Sequence, residues 1–397
     1  MYQQLFLLAS IALAAVHAHP GSHASSTTTA TKTSTFKFTE TFPEAGAIPT
    51  AKPEWLELIK NINITQAPVY TNTNGLGPQP EVQGQDPYCD WTFTGCFGKD
   101  DLYQCPKGQW ALTYDDGPSE YSPKLYDYLD QVNVKATFFM VGGQVVKFPD
   151  YALRAYKSGH ELAMHTWSHN YMTTLTNEQI VAELKWNELA IKEVTGVSPK
   201  YFRPPYGDID NRVRDVAAAL GFIPVIWNFD TNDWAAASSP ETFKESWIDG
   251  NVTQWAQAAK TAEVGGVSLE HDLYEKTVDA AIRILPTLKD AYELIPVGTC
   301  NKVAVYKENA TATNATTSPV SSAIPSSSAA ADAPGATTIN LDSTAANGAS
   351  TAANGASTAA DGASIAANVA TNSGVSLVAS APLGLGAAAI AAAFALL

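Results

Sequence analysis

Strand-like and helix-like segments alternate through the middle of the chain, from about residue 106 to about residue 300. The helical pattern is clearest over 177–195, where Thr176 and Gln179 form a capping box and Gly196 closes the helix. The strand-like runs are QWALTY, VKATFFMV, HELAMHT, KYFRPP, FIPVIWNF and GGVSLEH. Such alternation indicates parallel strands joined by crossover helices, and therefore an α/β domain built as a β/α barrel or as an open sheet.

Ionisable residues stand at the ends of five strand-like runs in succession. The carboxyl ends of parallel strands meet at one edge of a sheet or barrel, and active groups gather there. We therefore expect one shared site. Its candidate residues are Asp115 and Asp116 in TYDDGP, His165 and His169 in HTWSH, Arg203 to Asp208 in RPPYGD, the acids of DTNDW, and His271 and Asp272 in LEHD.

Two neighbouring carboxylates, Asp115 and Asp116, follow the first strand-like run. Adjacent side chains on a strand point to opposite faces, so both can reach one pocket only where the strand ends and the backbone turns. The Gly-Pro pair that comes next supplies that turn. Two histidines spaced i and i+4, together with an aspartate, can hold a divalent metal that keeps open positions for water and substrate. One aspartate would then bind the metal while the other stays free as a base.

The motifs TYDDGP, HTWSH, RPPYG, DTNDW and LEHD, in this order and with this spacing, resemble those of the NodB-homology polysaccharide deacetylases, carbohydrate esterase family 4. The resemblance covers about residues 106–300 and is greatest to the fungal chitin deacetylases. It implies a distorted (β/α) barrel that holds Zn²⁺ or Co²⁺. It also implies removal of acetyl groups from the N-acetylglucosamine residues of chitin, which yields chitosan and acetate.

The resemblance also implies a role for each residue of the site. Asp115 would be the general base and His271 the general acid, and the metal ligands would be Asp116, His165 and His169. Supporting roles fall to five other residues: Arg203 orienting the base, the backbone N–H of Tyr206 holding the oxyanion, Asp230 holding the acid, and Trp234 and Leu269 lining the acetyl pocket.

The first residues predict secretion. The apolar run LFLLASIALAAV precedes a small-residue cleavage position after Ala18, which defines residues 1–18 as a signal peptide. N-glycosylation sequons suit the same compartment, and they lie at Asn63, Asn251, Asn309 and Asn314. The formal net charge of -15 argues against a nucleic-acid partner.

Four cysteines in a secreted chain predict disulfides rather than a metal cluster. Sequence alone allows three pairings. Cys105 and Cys300 bracket the densest part of the chain, so a bridge between them would join its two ends. Cys89 would then be left to pair with Cys96.

The segments on either side of the predicted catalytic domain, 89–305, have a different composition. Residues 19–88 are rich in Ser, Thr and Pro and predict a mostly extended, disordered arm with one short helix in PEWLELIKNI. Residues 306–372 contain seven-residue repeats such as STAANGA, which favour a flexible stalk over a coiled coil because they lack large apolar residues.

The last residues, 373–397, have the order of a glycosylphosphatidylinositol (GPI) anchor signal: small residues, a spacer and an apolar tail. We expect attachment at Asn372 and removal of the tail, with a C-terminal transmembrane helix as the alternative. The sequence thus predicts a monomeric enzyme on the outer face of the plasma membrane and in the cell wall.

Three other functions remain open from the sequence. The nearest is another esterase of the same family, acting on acetylated xylan or peptidoglycan. A glycoside hydrolase could also use two carboxylates on a β/α barrel, but it would leave the two histidines without a function. The third is a wall-binding protein that keeps the fold without activity, which the presence of Asp115 and His271 disfavours.

Overall fold

The computed structural model describes residues 34, 36–72, 77–80 and 84–308. The predicted signal peptide, residues 309–372 of the stalk and the anchor signal lie outside these ranges, as do Asn309, Asn314 and Asn372. The other two predicted glycosylation sites are described: Asn63 is exposed in the arm, and Asn251 is half-buried on a helix. Within the described part of the chain, none of the helices is both long and apolar enough to cross a membrane.

A parallel sheet forms the centre of the domain, and all pairings between its strands are parallel. The strands are β1 Gln109–Ala111, β2 Thr113–Asp115, β3 Thr137–Met140, β4 Glu161–Met164, β5 Tyr201–Phe202, β6 Ile223–Pro224, β7 Phe229–Asp230, β8 Gly266–His271 and β9 Glu293–Leu294. Their order in the sheet is β6-β5-β4-β3-β2-β8-β1-β9, and β7 also pairs with β8. This irregular, branched parallel sheet confirms the predicted α/β fold class.

Helices connect most of the strands and cover the sheet. The predicted helix over 177–195 is present as α6, with its capping box at Thr176 and Gln179 and its end at Gly196 (φ 84°). The helices are α1 Pro53–Leu56, α2 Trp91–Thr94, α3 Ser122–Gln131, α4 Gly142–Lys147, α5 Pro149–Lys157, α6 Asn177–Thr195, α7 Asn211–Ala219, α8 Ala235–Ser238, α9 Ser246–Ala258, α10 Glu275–Ala291 and α11 Val297–Asn301. Short 3₁₀ turns lie at Met172–Thr174 and Pro205–Gly207.

Both faces of the sheet are buried. In β3, Phe138 belongs to the large hydrophobic core, whereas its neighbour Phe139 belongs to a smaller core on the opposite face with Tyr201 and Val267. A strand that is covered on both sides carries apolar side chains on both of its faces, which is why the run FFMV contains no alternating polar residues. Polar side chains are therefore concentrated where the strands end.

Two disulfides close the domain, in the pairing that the sequence favours. Cys105, just before β1, is bonded to Cys300 in α11, across 195 residues of sequence. Cys89 is bonded to Cys96, only seven residues away. The long bridge therefore ties the start of the domain to its end.

The described part of the N-terminal arm differs from the disordered segment that its composition predicts. Residues 36–72 contain only one helix, Pro53–Leu56, to which the predicted helix is limited, and no strand, but they lie against the domain. The rings of Phe42 and Trp55 both pack edge-on against Trp186 of α6. Aromatic residues in a Ser/Thr-rich segment bury apolar surface that the mean composition does not reveal.

The two disulfides should contribute unequally to stability. Replacing Cys105 and Cys300 by alanine should lower the free energy of unfolding by about 5 kcal/mol, and replacing Cys89 and Cys96 should lower it by about 2.5 kcal/mol, because the constraint on the unfolded chain grows with loop length. Guanidinium unfolding of the full chain measures both. A larger loss from the Cys89–Cys96 pair would contradict the loop-closure argument.

Candidate active site

The aspartate doublet lies where β2 ends and the backbone turns. Asp115 is the last residue of β2, and Asp116 adopts a left-handed conformation with φ 76°. Because of this turn, both carboxylates approach the same imidazole: Nε2 of His165 lies 3.8 Å from Asp115 Oδ2 and 3.4 Å from Asp116 Oδ1. Position 117 requires glycine because a Cβ there would clash with the carboxylate of Asp272.

Asp116, His165 and His169 form a compact set of metal-ligating groups. Nε2 of His169 lies 3.1 Å from Asp116 Oδ1, and the three ligand atoms all lie within 4.8 Å of one another. A tetrahedral ion with bonds of about 2.1 Å separates its ligands by about 3.4 Å, so these residues fit a divalent metal such as zinc. All three side chains are buried.

The protonation of these ligands also suits a metal. Burial, followed by the electrostatic effect of the neighbouring His169 imidazole, lowers the pKa of His165 well below its usual range, which favours the neutral imidazole that binds metals. Nδ1 of His165 lies 2.8 Å from the carbonyl oxygen of Arg203, and donation to that oxygen leaves Nε2 free to coordinate. Burial acts to raise the pKa of Asp116, but the interactions with His169 outweigh it and hold the pKa well below the usual range.

The loop that carries the two histidines has a strained backbone. Thr166 and His169 both adopt positive φ, 63° and 59°, at a cost of about 1–3 kcal/mol each for non-glycine residues. Hydrogen bonds hold this conformation. The Asn187 amide donates to the carbonyl of Thr166 at 2.6 Å, and the backbone N–H of His169 donates to Oγ1 of Thr166 at 3.1 Å.

Asp115 forms a buried ion pair with Arg203. Nη1 of Arg203 donates to Asp115 Oδ1 at 2.8 Å and to Thr113 Oγ1 at 2.7 Å, and the guanidinium lies 4.2 Å from the ring centroid of Phe139. Burial raises the pKa of Asp115 to about 6, although the positive charge of Arg203 acts in the opposite direction. The carboxylate is thus a group that can exchange a proton near neutral pH.

His271, at the end of β8, is the register partner of Asp115 on β2, so the two residues are neighbours across the sheet. Nδ1 of His271 lies 2.7 Å from Oδ1 of Asp233, and the backbone N–H of His271 donates to Oδ2 of the same carboxylate at 2.8 Å. Burial acts to lower the pKa of His271, but the charge and hydrogen bond of Asp233 raise it to about 10.

The structure corrects the predicted partner of His271, which is Asp233 and not Asp230. Asp230 is still within β7, where it pairs with Leu269, and its Oδ1 accepts the backbone N–H of Asn232 at 2.7 Å. Asp233, three residues after Asp230, is the carboxylate that reaches the imidazole. The motif DTNDW contains both acids. The first of them, Asp230, is the last residue of β7, and the second, Asp233, lies in the loop beyond the strand.

Comparisons with known proteins identify the family of this chain. The sequence profile described as polysaccharide deacetylase matches residues 103–225. Chitin deacetylase 1 of Saccharomyces cerevisiae is 34% identical over 251 residues, which cover 59% of this chain and 79% of the yeast protein. The chain belongs to the polysaccharide deacetylase family.

Two further matches of this polysaccharide deacetylase are to fungal proteins. Chitin deacetylase 1 of Cryptococcus neoformans var. grubii is 40% identical over 316 residues, which cover 72% of this chain and 65% of that protein. The solved chitin deacetylase of Colletotrichum lindemuthianum has a TM-score of 0.48 and 30% identity, and the match covers 52% of this chain and 95% of the other. The chain spans about 60–65% of the length of the first curated relatives that it matches.

Of the remaining predicted residues, Tyr206 lies beside the metal-ligating groups. Tyr206 has φ 61°, and its ring stacks on Tyr171 and lies edge-on to His169, with centroids 4.0 and 4.8 Å apart. Leu269 is buried on β8, two residues before the histidine at its end, so the two side chains share a face. Trp234 is half-buried at the start of α8.

The assignment of Asp233 predicts a measurable change in the charge state of His271. In the Asp233→Asn variant the pKa of His271 should fall from about 10 toward the ordinary value of about 6.5, because the nearest negative charge is lost. The matched Asp230→Asn variant should lower it less. NMR titration of the imidazole in the metal-free protein measures both, and a larger shift in the Asp230→Asn variant would reverse the assignment.

Proposed function

We propose that this polysaccharide deacetylase hydrolyses the N-acetyl groups of chitin in a metal-dependent reaction that yields glucosamine units, and hence chitosan, and acetate. The observation that carries the proposal is the arrangement around the metal-binding groups. Asp115, paired with Arg203, and His271, paired with Asp233, are cross-strand neighbours beside Asp116 and the two histidines. Asp115 also lies within 3.8 Å of the ligand His165.

Asp115 takes the role of general base in this proposal. A Zn²⁺ or Co²⁺ ion held by Asp116, His165 and His169 would lower the pKa of water from about 15.7 toward about 7 and polarise the acetyl carbonyl. Asp115 accepts the proton of the water that attacks the carbonyl carbon, and Arg203 orients the carboxylate and favours its ionised form.

His271 takes the role of general acid. The amide nitrogen is a poor leaving group until it is protonated, and His271 donates that proton as the C–N bond breaks. The raised pKa of His271 keeps the imidazole cationic at neutral pH, and Asp233 fixes its orientation. The backbone N–H of Tyr206 donates to the oxyanion of the tetrahedral intermediate, while Trp234 and Leu269 enclose the acetyl methyl group.

Chitin is favoured over other acetylated polymers by the named relatives. The proteins of C. neoformans and S. cerevisiae that match this chain are named chitin deacetylases. Acetate release from chitin oligomers, acetylated xylan and peptidoglycan by the purified full chain compares the three substrates directly. Faster release from xylan or peptidoglycan would assign the protein to that substrate instead.

Variants at the doublet separate the base from the metal ligand. Asp115→Asn should reduce acetate release by at least about 10³-fold and leave the bound metal near one ion per chain, because the amide cannot accept the proton. The isosteric Asp116→Asn variant should lose both metal and activity, as should His165→Ala and His169→Ala. Metal analysis beside an acetate assay reads both effects. Loss of metal from the Asp115→Asn variant but not from Asp116→Asn would exchange the two roles.

The cellular location is proposed from the termini and the two disulfides. Disulfides suit an oxidising compartment, in agreement with a secreted or cell-wall protein. We place the mature protein on the outer face of the plasma membrane, attached at Asn372, with the stalk carrying the catalytic domain into the wall.

Deleting residues 375–397 should release active enzyme into the medium, because the anchor signal needs its apolar tail. Phosphatidylinositol-specific phospholipase should release the full-length form from the cell surface. Immunoblots of the medium and of the membrane fraction measure the release caused by the deletion and the release caused by the phospholipase. A membrane-bound form that resists the phospholipase and retains Leu397 would contradict the anchor and would instead indicate a C-terminal transmembrane helix.

A further inference from the structure

Trp167 lies between the two histidine ligands in HTWSH and is fully buried. Residues of the N-terminal arm cover it. The ring of Phe42 stacks on Trp167 with centroids 5.7 Å apart and an interplanar angle of 9°, and Nε1 of Trp167 donates to the carbonyl of Glu44 at 3.1 Å. This part of the arm precedes the family match, which begins at residue 103.

The backbone of the same loop is held by helix α6. One carboxylate oxygen of Glu183 accepts the backbone N–H groups of Trp167 and Ser168, both at 2.8 Å, and the other oxygen accepts the Ser168 hydroxyl. Glu183 is fully buried. The segment between the two histidine ligands is therefore held by α6 through its backbone and by the arm through the side chain of Trp167.

The arm is itself attached to α6 on both sides of Phe42. Before it, Thr39 donates from its backbone N–H and its hydroxyl to the two carboxylate oxygens of Glu193, at 2.8 and 3.0 Å. After it, Nε1 of Trp186 donates to the carbonyl of Thr50 at 2.9 Å. Residues 39–50, called the clamp below, thus have fixed ends and present one aromatic ring to the metal-binding loop.

We propose that the clamp positions the metal-binding loop and raises its affinity for the metal, with Phe42 as the positioning residue. This inference rests on the proposed function for the identity of the metal site. The loop contains two residues with positive φ, Thr166 and His169, so it relaxes toward ordinary backbone angles when its restraints are removed. Trp167 lies between these two residues, and a shift of its ring moves the backbone of both histidine ligands.

The coupling between clamp and metal is reciprocal. If docking of the clamp strengthens metal binding, metal binding must strengthen docking of the clamp by the same factor. The proposal therefore predicts effects in both directions, one measured in variants and the other in the unaltered chain.

The first experiment measures zinc affinity of the metal-free full chain by competition with a chelator. Phe42→Ala should weaken zinc binding by about 10-fold, the lower end of the range for residues that support metal ligands. Phe36→Ala is the matched control, since it removes an arm phenyl that packs on Phe38 and has no ring contact with Trp167 among the described residues. Phe36→Ala should stay within about 2-fold of the unaltered chain, and Phe42→Tyr should restore the affinity.

Unchanged zinc affinity in the Phe42→Ala variant would overturn the proposal. Equal weakening by Phe36→Ala and Phe42→Ala would also overturn it, because the effect would then reflect general loosening of the arm. With saturating zinc, kcat of Phe42→Ala should recover and KM should match that of the unaltered chain, whereas a merely unstable variant would stay impaired.

The second experiment needs no variant and stands even if Phe42→Ala fails to fold. The backbone N–H of Glu40, like that of Thr39, donates to the carboxylate of Glu193, at 3.2 Å. In the unaltered chain, saturating zinc should slow hydrogen exchange at these two amides by about 10-fold, by the reciprocity of coupling. The internal control is the backbone amide of Thr65, which lies elsewhere in the arm and donates to the carboxylate of Asp215 in α7. Its exchange rate should not change on addition of zinc. Equal exchange at Thr39 with and without zinc would overturn the proposal.

These measurements also separate the inference from the proposed function. Zinc affinity and hydrogen exchange need no substrate. A chain that couples the clamp to zinc but releases no acetate from chitin would refute the proposed function alone. A chain that deacetylates chitin with an uncoupled clamp would refute the inference alone.

Discussion

The left-handed conformation of Asp116 is the constraint on which the site depends. On a regular strand the carboxylates of Asp115 and Asp116 would point to opposite faces, and only one could reach the metal-binding pocket. The turn at φ 76° brings both to His165, so that one can bind a metal while the other stays available for proton transfer. Gly117 is part of this arrangement because the space beside it is filled by the carboxylate of Asp272.

Two buried charge pairs, Arg203 with Asp115 and Asp233 with His271, suit one residue of each pair to a different proton-transfer role. An unpaired charge at this depth would be neutralised by a shift of its pKa, and each pair opposes that shift. Arg203 limits the rise in the pKa of Asp115 that burial causes, so this carboxylate can act as a base. Asp233 reverses the effect of burial on His271 and raises its pKa, so this imidazole can act as an acid. The two groups are register partners on β2 and β8, which places the proposed acid and the proposed base at one edge of the sheet.

The sequence predicted most of this fold because its signals are local. The capping box and glycine that bound α6, and the apolar runs that form β3 and β8, depend on a few adjacent residues. The partner of His271 was wrongly predicted because DTNDW offers two acids, and only the path of the chain beyond β7 decides which one reaches the imidazole. The packing of the arm was missed because isolated aromatic residues such as Phe42 are diluted in a Ser/Thr-rich average, and their partners lie more than a hundred residues away.

Reconstitution of the metal-free protein tests the central claim most directly. The full chain, stripped with a chelator and dialysed, should release no acetate from chitin oligomers. Activity should then rise in proportion to added Zn²⁺ and reach its plateau at one ion per chain, since Asp116, His165 and His169 form a single site among the described residues. Acetate release at the full rate from the stripped protein, with no gain on addition of Zn²⁺ or Co²⁺, would contradict a metal-dependent deacetylase.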